Sequence, residues 1–594
     1  MWLGKKVAKS YFLPVRIGKQ HIPRNSNIRL LGTWVLDQED LANAKKVDVL
    51  DYCYDDYKVL YHDFLYIKEL YTKILPIVGN LLNDYHSINW NSRSFKIFYG
   101  MWLHDYLPVL RERYQTVDSA IKRYPSHSFI LTSDIIQTQT STDFKKKITE
   151  DDYNHYLYTS IVKFISRDIY RDSYFLPKDE KETYQHSFFS KWFKFGLQNF
   201  LLKSVQTLIN AVTKNSSAVI DRSYFSVPDF ARLILRKFPQ ITPIIYFPKL
   251  SFDNVQQELS VRRDLACKFK KEYCPENKFE EFLVENLIYD LPMCFVEGFN
   301  RCLKESGRTI FKNKNYLSSN AVLSNQMIQF SVANQMTSLD KLIIAQHGGS
   351  YGIAQWSSQQ FWELDTADIF ISFGWSAGEN SNISAISHPK LIPPIQKGIV
   401  NNGKILYVTN GSSRYFNRNW SHPTAGNSFL NYYENMLEFI QTLDPLVTRK
   451  VRLRLSPSNG EYGLGVETYL NGRVPFSNGN FYDELQHAAL VICDHNQTSF
   501  LESLSNNKPT IIFWNDEYTK ISEDAFPYFE ELAKEGVFYT SPKKAANCLN
   551  DLVLNSNISD WWMDSSRQAA VTSFVQRYAK VNREWVDEYC SVVM

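Results

Sequence analysis

Between Lys404 and Thr540, short runs of β-branched and aromatic residues alternate with amphipathic stretches long enough for helices. Lys404–Thr409 (KILYVT) predicts a strand, Ser428–Thr442 a helix and Lys450–Leu455 a second strand, followed by a long loop rich in Gly, Asn and Ser. A short helix over Phe481–Ala488, the strand Leu490–Cys493, a helix opening near Thr498 and the strand Thr510–Trp514 come next. A further helix and the strand Val537–Thr540 complete the alternation. Strands that alternate with helices predict a parallel sheet with crossovers, a Rossmann-type α/β unit.

The first 390 residues are less regular. Strands are predicted at Ile28–Trp34, Phe129–Thr132, Ala218–Asp221, Pro243–Phe247, Ala321–Ser324 and Leu342–Gln346. Aromatic-rich helical stretches lie between them, at about 56–85, 100–124, 150–166 and 278–306. This reads as an α/β domain enlarged by helical insertions. Asn380–Asn402, with three prolines and few apolar runs, reads as a linker, and the chain after Asp560 reads as helical to its end. The predicted division is residues 1–390, 391–555 and a helical tail over 556–594. At 594 residues the chain exceeds what one core organises, so a cleft between two domains is expected.

Composition narrows the function classes. The chain is 44% hydrophobic and 22% charged, as folded globular proteins are. A net charge of +3 from 66 basic and 63 acidic residues gives no concentrated basic excess, so no nucleic-acid partner is expected. Lys5, Lys6, Lys9, Arg16, Lys19 and Arg24, interleaved with Trp2, Tyr11 and Phe12, suit either an anionic membrane surface or a solvated arm. No apolar run approaches a membrane span and no secretory signal opens the chain, so the expected location is cytoplasmic, on the inner-membrane face at most. Eight scattered cysteines without C-x-x-C pairing suit neither a disulfide framework nor a zinc site.

Three segments carry candidate chemistry. Asp494–Leu504 (DHNQTSFLESL) follows the strand ending at Cys493. Thr498 and Ser499 at a helix start would present backbone N–H groups and the positive helix end to a donor phosphate, or serve as a plain N-cap. Glu502, one turn inside, would accept from ribose hydroxyls or complement the helix dipole. In Gln346–Gly352 (QHGGSYG), Gly348 and Gly349 admit a ligand close to the backbone, and His347 at the strand end is the candidate catalytic base. Alternation puts Arg452 and Arg454, ahead of Pro457, on one strand face, toward a donor phosphate or toward solvent. His388-Pro389 and His422-Pro423 are weaker candidates. No D-x-D follows an apolar strand, and neither a Walker loop nor G-x-G-x-x-G is present, so metal-independent transfer is expected over ATP hydrolysis or dinucleotide redox chemistry.

A resemblance rests on Leu31-Gly-Thr-Trp34, Trp102-Leu103 with Arg113-Tyr114, Asp152-Tyr-Asn154, the Q-H-G-G-x-Y-G segment, Phe373-Gly-Trp375 and the T-S-F-L-E-S helix. At these residues the chain resembles a transferase family of bacterial surface-polysaccharide gene clusters. The Q-H-G and T-S-x-L-E signals are more remotely similar to capsule Kdo transferases and CDP-glycerol glycerophosphotransferases. The resemblance implies a GT-B-like α/β fold, two Rossmann-type domains facing a cleft, with no cofactor and no metal for nucleotide recognition. It also implies a CMP-linked donor such as CMP-Kdo and a polysaccharide or lipopolysaccharide acceptor. One departure stands out: many CMP-sugar transferases carry His-Pro after the second strand of the nucleotide domain, where this chain has Ser456-Pro457. The expectation is an inverting glycosyltransferase with His347 as base. Its rivals are a polyol-phosphate transferase using a CDP-polyol and a non-catalytic nucleotide- or glycan-binding component.

Overall fold

The computed structural model describes residues 9–36, 47–166, 173–176, 189–221, 224–247, 252, 255–306, 311–378, 382–392, 403–411, 413–423, 426–456, 470 and 472–594, with the backbone alone for 189–200 and 427. Trp2, Lys5, Lys6, Pro457 and the second half of the expected linker lie outside these residues.

The described strands form three parallel sheets. In the first, β1 (Ser10–Leu13), β2 (Asn27–Leu30), β3 (Ser128–Leu131) and β4 (Tyr174–Phe175) are ordered β2-β1-β3-β4. The second holds β5 (Ala218–Asp221), β6 (Ile241–Ile244), β7 (Asn315–Ser318), β8 (Lys341–Ala345), β9 (Ile369–Ser372) and β10 (Ile383–Ala385), ordered β10-β9-β8-β7-β5-β6. The third holds β11 (Lys404–Val408), β12 (Val451–Arg454), β13 (Ala488–Cys493), β14 (Thr510–Phe513) and β15 (Phe538–Tyr539), ordered β12-β11-β13-β14-β15. Every residue of β13 is buried, as a central parallel strand covered on both faces requires.

The third sheet follows the predicted alternation, and the earlier half departs from prediction at several points. Ala321–Ser324 is a helical turn, because the Ser318 hydroxyl accepts from Ala321 N and bends the chain just after the true strand, β7. The helical stretch over 278–306 breaks at Leu291-Pro292 into Lys278–Asp290 and Phe299–Ser306, since a residue before proline avoids the helical region. The segment read as a linker contributes β10 to the edge of the second sheet. The strand expected over Ile28–Trp34 ends at Leu30, and Thr33–Val35 form a 3₁₀ turn.

Two contacts make the second and third sheets one body. A buried cluster runs through all three sheets, from Phe12 and Trp34 through Tyr316 and Ile344 to Leu406 and Ile492. The C-terminal helices then cross between halves. Phe574 of Ser565–Tyr578 packs on Phe500 and Phe529 of the third-sheet half, Lys580 N donates to Phe373 O at 2.8 Å, and Trp585, Tyr589 and Val593 of the last helix join Ala218, Ile220 and Leu233 on the second-sheet half. Both sheets turn the carboxyl ends of their strands toward one cleft, the GT-B-like arrangement.

Candidate functional site

Strand β8 ends at Ala345 and delivers Gln346–Gly352 to the cleft. The Gln346 side chain fixes this turn: its Oε1 accepts from Phe373 N at 2.9 Å and Trp375 Nε1 at 2.8 Å, and its Nε2 donates to Gly348 O at 2.7 Å. From the opposite half, β13 delivers Gln497 and Thr498. The two meet at Gly349, where a Cβ would stand 2.6 Å from Thr498 N and 2.4 Å from Gln497 C. Only a residue without a side chain allows that approach.

Beside this contact opens a cleft of about 360 Å³, lined from one half by Asp105, Lys145, Asn320, His347, Gly348 and Gln359, and from the other by Arg418, Gln497 and Thr498. His347 and Thr498 thus share one cavity, as does Gly348. The His347 ring is 11% exposed and has unlike neighbours at its two nitrogens. The Gln359 amide nitrogen lies 2.9 Å from Nε2, and Glu363 Oε1 lies 3.4 Å from Nδ1. With Gln359 donating, Nε2 is the acceptor and Nδ1 carries its hydrogen toward Glu363. Burial first, then Arg418, Lys145 and Lys390, pushes the imidazole pKa down to about 3, so the ring is neutral near pH 7. Glu363 is fully buried, with the Tyr351 hydroxyl and the Gln359 amide beside its carboxyl. Burial holds its pKa well above the usual carboxyl range.

Asp105 lines the same cavity 3.3 Å from Lys145. Burial opposes its charge, but Lys145 and His104 outweigh it and keep the carboxyl below its ordinary pKa. Arg418 stacks on the Trp420 ring at 4.7 Å and reaches the cavity from the loop after β11.

The helix Thr498–Ser505 has Gln497 at its N-cap with no side-chain cap bond, so neither Thr498 nor Ser499 caps it. The Ser499 hydroxyl lies 3.4 Å from His495 Nε2. Glu502 is buried against Tyr482 (2.8 Å) and Lys390 (3.6 Å), and burial lifts its pKa despite both. Tyr482 and Lys390 line a neighbouring hollow that shares Tyr224 with the cleft.

The remaining candidates lie elsewhere. Arg452 and Arg454 are on the edge strand β12. Arg452 donates to Arg449 O and Val451 O, and Arg454 pairs with Glu484 at 2.7 Å, so neither lines the cleft. His388 is buried against Phe225 and Phe373, and His422 lines a smaller cavity with Asn410, Asp494 and His495. Sequence reasoning passed over Glu363, Gln359, Lys145 and Arg418. Arg418 follows the predicted strand Lys404–Thr409, at the point where connections diverge on either side of β11 and ligands of open α/β sheets bind.

No curated protein matches the chain by sequence. Among solved structures, an E. coli trehalose-6-phosphate synthase bound with UDP-2-fluoro glucose is 7% identical with a TM-score of 0.33, covering 63% of this chain and 98% of its own. WaaG, a glycosyltransferase involved in lipopolysaccharide biosynthesis, is 10% identical with a TM-score of 0.28, covering 67% and 95%. The UDP-forming α,α-trehalose-phosphate synthase of Burkholderia xenovorans, in complex with glucose-6-phosphate, is 9% identical with a TM-score of 0.29, covering 58% and 83%. At such scores no residue role passes from them to this chain. A family model matches residues 11–591, nearly the whole length, and the chain belongs to the LIC12162 family of transferases.

Proposed function

We propose that the chain is an inverting glycosyltransferase that moves a sugar from a nucleotide donor, a CMP-linked ulosonic acid such as Kdo, to a surface-polysaccharide or lipopolysaccharide acceptor without a metal ion. The observation that carries this reading is the convergence of His347 from one half and the helix start at Thr498 from the other on one cavity that also holds Lys145 and Arg418. An acceptor hydroxyl would take the place of the Gln359 amide at His347 Nε2 and attack the anomeric carbon as the donor's bond to phosphate breaks. His347 would accept the proton, with Glu363 behind the ring. The N–H groups of the Thr498 helix, with Arg418, would stabilise the departing phosphate, a role Arg454 cannot fill while it is paired with Glu484.

Burial is the first cause of the low ring pKa and persists in a filled cleft, while Arg418, Lys145 and Lys390 add the remainder. A bound nucleotide phosphate would offset the share of the shift that comes from those cations and raise the basicity of the imidazole by that share. Tyr482 and Lys390, which line the neighbouring hollow with Tyr224 and Asp229, would offer a hydroxyl and an ammonium group to a ribose, with the buried Glu502 holding both in place.

The test is incubation of the enzyme with CMP-Kdo and with CDP-glycerol, a glycan acceptor and excess EDTA, with product analysis. Release of CMP from CMP-Kdo with a glycosidic product supports the proposal. Loss of transfer in EDTA that magnesium or manganese restores would refute metal independence. CMP released from CDP-glycerol, with phosphate added to the acceptor, would assign polyol-phosphate transfer instead.

A further inference from the structure

Tyr224 stands between β5 and the helix Val227–Lys237, at the carboxyl edge of the second sheet, with its backbone at φ +65°. The other non-glycine residues with positive φ among those described are Asn25, Ser87, Asn313 and Asn507, all with short polar side chains. A tyrosine is strained there, because its Cβ crowds the following carbonyl oxygen. Strained residues of this kind cluster at active sites and ligand clamps. Burial does not account for this one: Tyr224 is 39% exposed, and its hydroxyl has no hydrogen-bond partner among the described residues.

Its surroundings suit an anion. The ring meets the His347 ring at 5.2 Å between centroids, and Lys390 Nζ lies 5.3 Å from its centroid. Tyr224 is the lining residue shared by the cleft, which Arg418 enters, and the hollow of about 620 Å³, which Lys390 enters. In the donor reading above, the reacting sugar lies by His347 in the cleft and the ribose by Tyr482 and Lys390 in the hollow. The phosphate that joins them then passes Tyr224, between the two cations. Burial, joined by Glu363 and Glu502, outweighs Arg418 and raises the phenol above its ordinary pKa, so the hydroxyl keeps its proton and can donate to a phosphate oxygen.

We infer that Tyr224 is a donor-binding residue, held in a strained conformation that brings its hydroxyl to the phosphate between sugar and ribose. This rests on the nucleotide-donor reading, from which the test separates it. The affinities of CMP, CDP, UDP and GDP for the full chain are measured by calorimetry. The nucleotide bound most tightly is then compared with its nucleoside in the wild type, Tyr224→Phe and Tyr224→Asn. Tyr224→Phe keeps the ring and should weaken the nucleotide about tenfold to a hundredfold, as loss of a hydrogen bond to a charged group does, while leaving the nucleoside unchanged. Tyr224→Asn, which suits the left-handed region, should melt no lower than the wild type and lose at least as much nucleotide affinity. A wild type that binds none of these nucleotides would overturn the donor reading and this inference with it. Binding by the wild type that Tyr224→Phe retains in full, or loses equally for nucleotide and nucleoside, would overturn this inference alone. A lower melting midpoint in Tyr224→Asn would assign the strain to packing and overturn it as well.

Discussion

At His347 the Gln359 amide meets Nε2 and Glu363, sealed from solvent, faces Nδ1, with the Tyr351 hydroxyl 3.5 Å from both nitrogens. Removing the base should therefore act on turnover more than on donor affinity. His347→Gln, still able to hydrogen-bond but unable to take a proton, should lower kcat by roughly a hundredfold to ten-thousandfold at saturating donor. Near-normal kcat in a folded variant would take His347 out of the mechanism and leave Asp105 as the acidic candidate in the cavity. Because burial and the facing cations lower the ring pKa to about 3, kcat/KM should show no His347 limb near the ordinary imidazole value of 6.5. His388 supplies a stability counterpart. Burial first, then Lys390, lowers its pKa from 6.5 to about 3, and its Nδ1 accepts from Lys390 N at 3.1 Å. Between those values the unfolded chain holds a proton that the native residue refuses, so its contribution is present above pH 6.5 and is lost as pH falls toward 3. His388→Asn keeps an acceptor for Lys390 N and removes the titration. It should flatten the acid side of the stability curve by up to about 1.4 kcal/mol per pH unit, and an unchanged slope would contradict the assignment.

The helix Thr498–Ser505 begins without a side-chain cap, so its hydroxyls can be removed without removing a cap. Thr498→Ala with Ser499→Ala should leave the melting midpoint nearly unchanged and weaken nucleotide binding by about 1–3 kcal/mol. A lower midpoint with unchanged nucleotide affinity would give these residues a structural role only. Elements of the third sheet were legible because strands such as β13, buried on both faces, read as continuous apolar runs between helices. The strands β1, β4, β7 and β10 were not, since each is only two to four residues long and lacks the uninterrupted apolar run that marks strands such as β5 and β14. Alternation correctly placed Arg452 and Arg454 on one face of β12. It could not disclose that β12 is the sheet edge or that Glu484 answers Arg454, since both depend on strand order.

Across the whole molecule, several residues that marked the chain's resemblance to polysaccharide transferases join the halves and do not line the cleft. Arg113 donates to Asn154 Oδ1 at 2.9 Å and to Phe416 O at 3.0 Å, and Trp34 stacks on Tyr158 and meets Tyr415. Arg414 and Tyr415, from the loop after β11, reach across to Asp151. That same loop carries Arg418 into the cavity, so the junction also sets the position of a cation in the cleft. Lys145, Glu363 and Arg418 lie far apart in sequence and share no local pattern, so only the assembled fold brings them to His347. The central claim is that this cleft binds a nucleotide-activated donor through the Thr498 helix. The most direct test is thermal denaturation with CMP, CDP, UDP, GDP and their sugar conjugates. A ligand bound only by the folded chain stabilises it by about 2.7 kcal/mol at a hundredfold excess over Kd. At least one of these nucleotides, a cytidine nucleotide foremost, should raise the midpoint of the wild type and fail to do so in Thr498→Ala/Ser499→Ala. A wild type whose midpoint none of them moves, up to millimolar concentrations, would contradict the account.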